Sequence, residues 1–155
     1  MTFVLRAADA EIIGQPPSIV RLLADSSQTN GALTAQRVTL DAGADGAVPH
    51  RHTRGSEMFY VLGGVGEVLA GDDVLTANEG DLVVVSPNVI HAFGAAPGHD
   101  LDLLIVLTPG IERFDYFRLL ARLGRGEAMI EELLESQDRF DNHFVDSAPW
   151  TAARG

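Results

Sequence analysis

At 155 residues the chain is long enough for one domain with a hydrophobic core and too short for two large ones. It has no cysteine and no lysine, which excludes disulfides, thiolate nucleophiles, cysteine-ligated metal sites, Schiff-base chemistry and the lysine of phosphate-binding loops. With 22 acidic residues against 11 basic ones the net charge is −11, so the chain repels phosphate backbones and nucleic acid is not an expected partner.

No apolar run approaches the roughly 20 residues of a membrane helix, so no membrane partner is expected. Met1 to Ala10 lacks a basic region followed by a long apolar stretch, so a cytoplasmic protein without a signal peptide is expected. Residues 1–17 are weakly patterned and end in Pro16-Pro17, which reads as an N-terminal arm. Short β-like runs follow: Ile19–Leu23, Leu33–Leu40, Met58–Leu62, Glu67–Leu69, Val74–Ala77, Leu82–Val85, His91–Phe93 and Leu101–Leu107. Turn residues such as Asn30-Gly31, Gly63-Gly64, Gly71-Asp72 and Pro97-Gly98 separate them, and no helical period intervenes. Short strands at this spacing predict an all-β sandwich or barrel over 18–110.

Past Pro109-Gly110 the period becomes helical. Tyr116, Leu119, Leu120 and Leu123 share one face, and Gly124 and Gly126 end the run. A second amphipathic run places Met129, Ile130, Leu133 and Leu134 opposite Glu127, Glu131, Glu132 and Glu135, so both stripes are expected to be buried. From Phe140 to Gly155 no period is evident. Residues 111–155 therefore read as a helical appendage and tail.

The chemistry concentrates in Gly46-Ala-Val-Pro-His50-Arg-His52-Thr-Arg-Gly-Ser-Glu57. Residues i and i+2 of a strand point to one side, so His50 and His52 can aim at one point. The turn-like stretch Thr53–Ser56 is expected to return Glu57 beside them on the adjacent strand. Gly80-Asp-Leu-Val-Val-Val-Ser-Pro87-Asn-Val-Ile-His91 adds a third imidazole. An H-x-H pair alone is commonly a surface feature; four potential ligands in an all-β setting are more specific. Imidazoles with a carboxylate suit Fe(II) and accommodate Mn, Ni, Co or Zn, so one divalent transition metal is expected on His50, His52, Glu57 and His91.

These two segments resemble the paired motifs of the cupin superfamily, G-x5-H-x-H-x3,4-E-x6-G and G-x5-P-x-G-x2-H-x3-N. In the first, Ala44 replaces the opening glycine and Gly64 stands at the closing position. In the second, Gly80 and His91 are in register, while Ser86, Asn88 and Ala95 take the proline, glycine and asparagine positions. Asparagine tolerates left-handed backbone angles, so the turn at Asn88 can be kept. The resemblance implies a double-stranded β-helix, or jelly roll, with a metal inside it and a homodimeric assembly. The single barrel followed by Glu112-Arg113-Phe114 and a helix is similar to the quercetin dioxygenase-like branch. That branch implies an oxygenase acting on a small aromatic or enolic substrate. The alternatives are a redox-neutral isomerase, lyase or decarboxylase, and a non-catalytic binder of small molecules.

Glu57 is either a ligand or a carboxylate that leaves the metal to take a proton, which makes it the expected catalytic residue. Phe59 and Val61 share its strand parity and are expected to line the cavity, as is Phe93 beside His91; plain core packing is the alternative. Arg51 is expected to point outward into an ion pair, and His99 to lie in a solvated loop. If the helices fold over the barrel mouth, Phe140 and His143 reach the cavity; otherwise the tail covers an outer face or a subunit seam.

Overall fold

A computed structural model describes residues 2–155. Its strands are β1 (Glu11–Gln15), β2 (Ser18–Ala24), β3 (Thr34–Leu40), β4 (His50–Arg51), β5 (Ser56–Ala70), β6 (Asp73–Asn78), β7 (Leu82–Val85), β8 (His91–Ala95), β9 (Leu101–Thr108) and β10 (His143–Phe144). The helices are α1 (Phe114–Gly124), α2 (Ile130–Glu135), α3 (Gln137–Phe140) and α4 (Ala148–Arg154). This is the expected all-β barrel with a C-terminal helical appendage.

Period-2 patterning decides which side of each strand faces inward. In β9, Leu101, Leu103, Ile105 and Leu107 are buried; in β3, Thr34, Gln36, Val38 and Leu40 are. Their outward neighbours Arg37 and Asp102 lie diagonally across the pairing, Asp102 being the register partner of Thr39, and their side chains meet at 2.6 Å. One face of the barrel runs β1-β2-β3-β9-β5-β7, and the other is built from β6, β5, β8, β4 and β10.

Strand β5 belongs to both faces, where the sequence pattern predicts two separate strands. Its first half pairs with β7 and β9 and its second half with β6 and β8. The pairing with β9 shifts register between Val61 and Gly63, and a bend of this kind is how one strand switches sheets. Gly64 follows at φ +79°, and a Cβ there would collide with the Asp100 carbonyl. Only glycine meets both conditions.

Phe59, Val61, Val68, Phe93, Leu101, Leu103 and Ile105 fill the barrel. Each fully buried Leu or Phe contributes roughly 1.5–3 kcal/mol. A second cluster joins Leu22 to Tyr116, Phe117, Leu119, Leu133 and Phe140, seating the appendage on the β1–β2 hairpin. A third packs Trp150 of α4 on Leu69 and Ala92.

The terminal segments depart from their sequence reading. Within the N-terminal arm, residues 11–15 form a strand at the sheet edge, with Ile13 packed into the second cluster. The stretch after Phe140, without visible period, forms β10 and α4, the latter capped by Ser147. The second apolar stripe is only partly covered. Leu133 is buried, but Met129, Ile130 and Leu134 are exposed, because α2 is too short to present more than one residue to the cluster.

Candidate metal centre

His50 and His91 are cross-strand partners on β4 and β8, and His52 follows on the loop after β4. Glu57 does not come from the half of β5 that pairs with β8. It sits on the half of β5 paired with β7 and β9, so the carboxylate meets the imidazoles across the barrel. All four side chains are buried, and one donor atom from each lies within 4.8 Å of the others.

Backbone carbonyls fix the ring orientations. Val48 O lies 2.7 Å from His50 Nδ1, Val89 O lies 2.9 Å from His91 Nδ1, and Asp141 O lies 2.7 Å from His52 Nδ1. A carbonyl only accepts, so each Nδ1 carries a proton and donates it. The remaining nitrogen, Nε2, is the one available at the cluster. Nε2 of His52 and Nε2 of His91 each lie 2.7 Å from Glu57 Oε2. Those nitrogens either donate to the carboxylate as imidazolium, or are neutral and present lone pairs to a shared cation. Orienting a ligand ring through its other nitrogen is the usual support of a metal-bound histidine.

The electrostatics fit a cation as well. Burial, then the charges of His91 and His52, holds the His50 pKa well below the usual imidazole value, which favours the neutral, ligating form. Burial pushes the Glu57 pKa up, but His91 and His52 outweigh it and hold it well below the ordinary carboxylate range. Burial lowers the His91 pKa, and the charge and hydrogen bond of Glu57 more than reverse this. An ionised carboxylate enclosed by three imidazoles is a donor set suited to a divalent transition metal.

Asp141 carries no metal-ligand spacing in the sequence, yet it braces the site. It adopts a left-handed backbone at φ 47° after α3, and its carbonyl accepts the hydrogen bond from His52 Nδ1. Its buried carboxylate accepts from Thr53 N at 3.0 Å, Thr53 Oγ1 at 2.6 Å and Arg54 N at 3.0 Å, and lies 3.0 Å from His143 Nε2. The tail thus ties down the loop that carries His52.

His50 and Glu57 open onto a cavity of 880 Å³ between the barrel and the appendage. The β1 edge, Val38, Phe93, Ile105, Tyr116 and Phe117 form much of its wall, with Gln36, Arg113 and Asn142 as buried polar members. One wall is therefore the appendage itself, while α4 covers an outer sheet face.

Of the residues expected around the cavity, Phe93 lines it. Phe59 and Val61 pack in the barrel core, with the Phe59 ring 6.0 Å from that of His91. Phe140 stacks edge-on against Tyr116 at 5.7 Å within the second cluster. His143 lies on β10 opposite Arg51 and is engaged with Asp141. Arg51 bonds the Asn88 amide instead of forming an ion pair, and Asn88 adopts φ 69° as its turn requires. His99 is exposed in a loop. Gln36 shares the inward parity of Val38 and Leu40 on β3, whereas Arg113 and Asn142 have no sequence signal, since spacing does not show which polar residues a distant segment turns inward.

Residues 36–107 match the family model described as a cupin domain. No curated protein sequence matches the chain. Among solved structures, KdgF from Halomonas is 23% identical with a TM-score of 0.62, covering 75% of this chain and 99% of its own. A Streptomyces Pac13 variant with uridine is 17% identical with a TM-score of 0.60, covering 74% and 88%. Pac13 is described as a nucleoside dehydratase. The polyketide cyclase RemF from Streptomyces resistomycificus is 17% identical with a TM-score of 0.57, covering 70% and 80%. At these identities the likeness shows a shared fold.

Proposed function

We propose that this chain, whose residues 36–107 carry a cupin domain, is a metal-dependent enzyme acting on a small organic substrate in its 880 Å³ cavity. The observation that carries the reading is the convergence of four buried donors with every histidine Nδ1 committed to a carbonyl. His50, His52, Glu57 and His91 would hold one divalent metal, Fe, Mn, Ni, Co or Zn. Bound there, it supplies either a redox centre for dioxygen or a Lewis acid for a substrate oxygen.

The protein's own part is to bind, orient and exclude water. Val38, Phe93, Ile105 and Phe117 give an apolar wall that suits an aromatic or enolic ring. Glu57 is the only acidic residue lining the cavity among the described residues, and it is where a substrate proton would be taken. Oxygenation is the reaction we assign, from the imidazole–carboxylate donor set beside aromatic walls. A redox-neutral isomerase, lyase or decarboxylase is the second reading. It is favoured by the buried guanidinium of Arg113, which suits a charged substrate whose carbonyl is polarised. The similar structures bearing the names dehydratase and cyclase accord with it.

Metal analysis and an oxygen electrode test both. Purified protein is expected to hold close to one first-row metal per chain, and His50→Ala/His52→Ala to lose it. Full metal content in that variant would overturn the site. With a turned-over aromatic or enolic acid, oxygen uptake should match product. Undiminished anaerobic turnover would replace oxygenation by the redox-neutral reading.

A further inference from the structure

The cavity inverts the charge of the chain. Overall, acidic residues outnumber basic ones two to one, but the cavity lining has two arginines, Arg113 and Arg125, and one acid, Glu57. Arg125 is exposed and paired with Glu127 at 2.9 Å. Arg113 is different. It is 4% exposed and has no carboxylate within ion-pair distance among the described residues.

A guanidinium has five N–H donors. The only hydrogen bond from the Arg113 guanidinium among the described residues is Nη1 to Asn142 Oδ1, at 3.2 Å. Its flat face lies 4.2 Å over the Tyr116 ring and 5.1 Å from that of Phe117, which supports the cation but satisfies no N–H. Arg154, whose side chain is 9% exposed, shows what an enclosed arginine ordinarily collects. It meets the carboxylates of Asp45 and Glu67 and the carbonyls of Gly43, Ala44 and Ala95. Burying a charge without such partners is costly, and the Arg113 N–H groups left without a protein acceptor lie on the cavity wall, where a bound anion can accept from them.

The neighbouring amide lacks a partner too. Asn142 is 1% exposed and lines the cavity, its oxygen is turned to Arg113, and its Nδ2 has no hydrogen-bond partner. Unsatisfied donors on a guanidinium and on an adjacent amide, in one cavity, match the two oxygens of a carboxylate.

We infer that Arg113 and Asn142 form an anion subsite that binds the carboxylate of a small organic acid, with the rest of the molecule directed toward His50 and Glu57. This deepens the proposed function and rests on the cavity being a substrate site. One guanidinium and one neutral amide balance a monoanion; a phosphate dianion at the same two residues would keep one charge that Arg113 does not compensate. Arg113 sets which substrates bind and how they lie, and the metal ligands are separate from it.

Titration calorimetry on metal-loaded protein tests this with benzoate, neutral benzamide and phenyl phosphate as probes. Benzoate is expected to bind about tenfold more tightly than benzamide, as a charge-assisted pair implies, and more tightly than phenyl phosphate. Arg113→Gln should reduce that preference to less than about twofold, the charge-assisted pair being gone, with metal content unchanged. A benzoate preference should survive chelation, which separates Arg113 from direct binding to a metal. Asn142→Asp places a carboxylate against Arg113. It is expected to raise the melting midpoint while abolishing benzoate selectivity, so the test stands even if Arg113→Gln fails to fold. No preference in wild type, a preference that outlives both substitutions, one lost on chelation alone, or tighter phenyl phosphate binding would each overturn the subsite. Metal present with no benzoate preference rejects the subsite and leaves the metal reading intact; benzoate selectivity in a protein that takes up no metal does the reverse.

Discussion

Asp141 joins two jobs at one position: its carbonyl orients His52, and its carboxylate gathers the Thr53–Arg54 loop. Burial alone would raise its pKa, but hydrogen bonds from Thr53, Arg54 and His143 outweigh burial and bring it from an ordinary 3.8 down to about 2. A depressed folded-state pKa means stability that is fully present above about pH 4 and is lost as pH falls toward 2. The displacement corresponds to roughly 2 kcal/mol. Asp141→Asn is therefore expected to cost about 2 kcal/mol in urea unfolding at pH 7, with the gap from wild type closing between pH 4 and 2. A gap independent of pH would show that the charge is not what holds the loop. Metal affinity in the same variant should fall about tenfold or more, as loss of a ligand's orienting partner commonly causes.

Strand β5 is the element on which the site depends. Its first half carries Glu57 to one face of the barrel, and its second half pairs Ala70 with His91 on the other. The change of sheet at Gly63-Gly64 thus sets the distance between carboxylate and imidazole. Gly64→Ala adds a Cβ against the Asp100 carbonyl and forces a left-handed φ on a side chain. A loss of about 2–4 kcal/mol is expected, measured by denaturant midpoint, together with weakened metal binding. Wild-type stability would mean that the corner is built some other way. The appendage is held differently. Its exposed ion pairs, such as Arg118 with Glu11, contribute at most about 1 kcal/mol each, so the apolar cluster around Tyr116 and Phe117 does most of the anchoring.

At the scale of the whole molecule, the metal proposed for the buried donor set would couple folding to its binding. A cation that binds only the folded chain adds about 2.7 kcal/mol when free metal is a hundredfold above Kd. For a chain of this size that is a rise in melting midpoint of roughly 5–10 °C. Calorimetric scans before and after chelation should show that difference, and an unchanged midpoint after verified metal removal would count against a buried site. Burial first, and then the charges of His91 and His52, oppose protonation of His50 in this enclosed cluster.

What the sequence determined by itself was local and periodic. Alternation in Leu33–Leu40 and Leu101–Leu107 specified half-buried strands, because side chains two apart share a face. His50, His52, Glu57 and His91 were legible as a cluster because metal ligands demand particular residue types, and histidine, with five in the chain, is scarce. Asn88 could be read as a left-handed turn for the same kind of reason. The tertiary structure alone decided which sheet Glu57 occupies, since two short strand-like runs and one bent strand have the same pattern. It also decided that residues 11–15 pair as an edge strand, that Met129, Ile130 and Leu134 stay exposed, and that Phe59, Val61 and Phe140 fill cores. Above all it placed Arg113, Asp141 and Asn142 against a barrel whose candidate metal-binding residues lie far back in the chain. Such contacts join residues as far as 89 positions apart. They arise from how whole elements pack, and no repeat or spacing in the sequence records them.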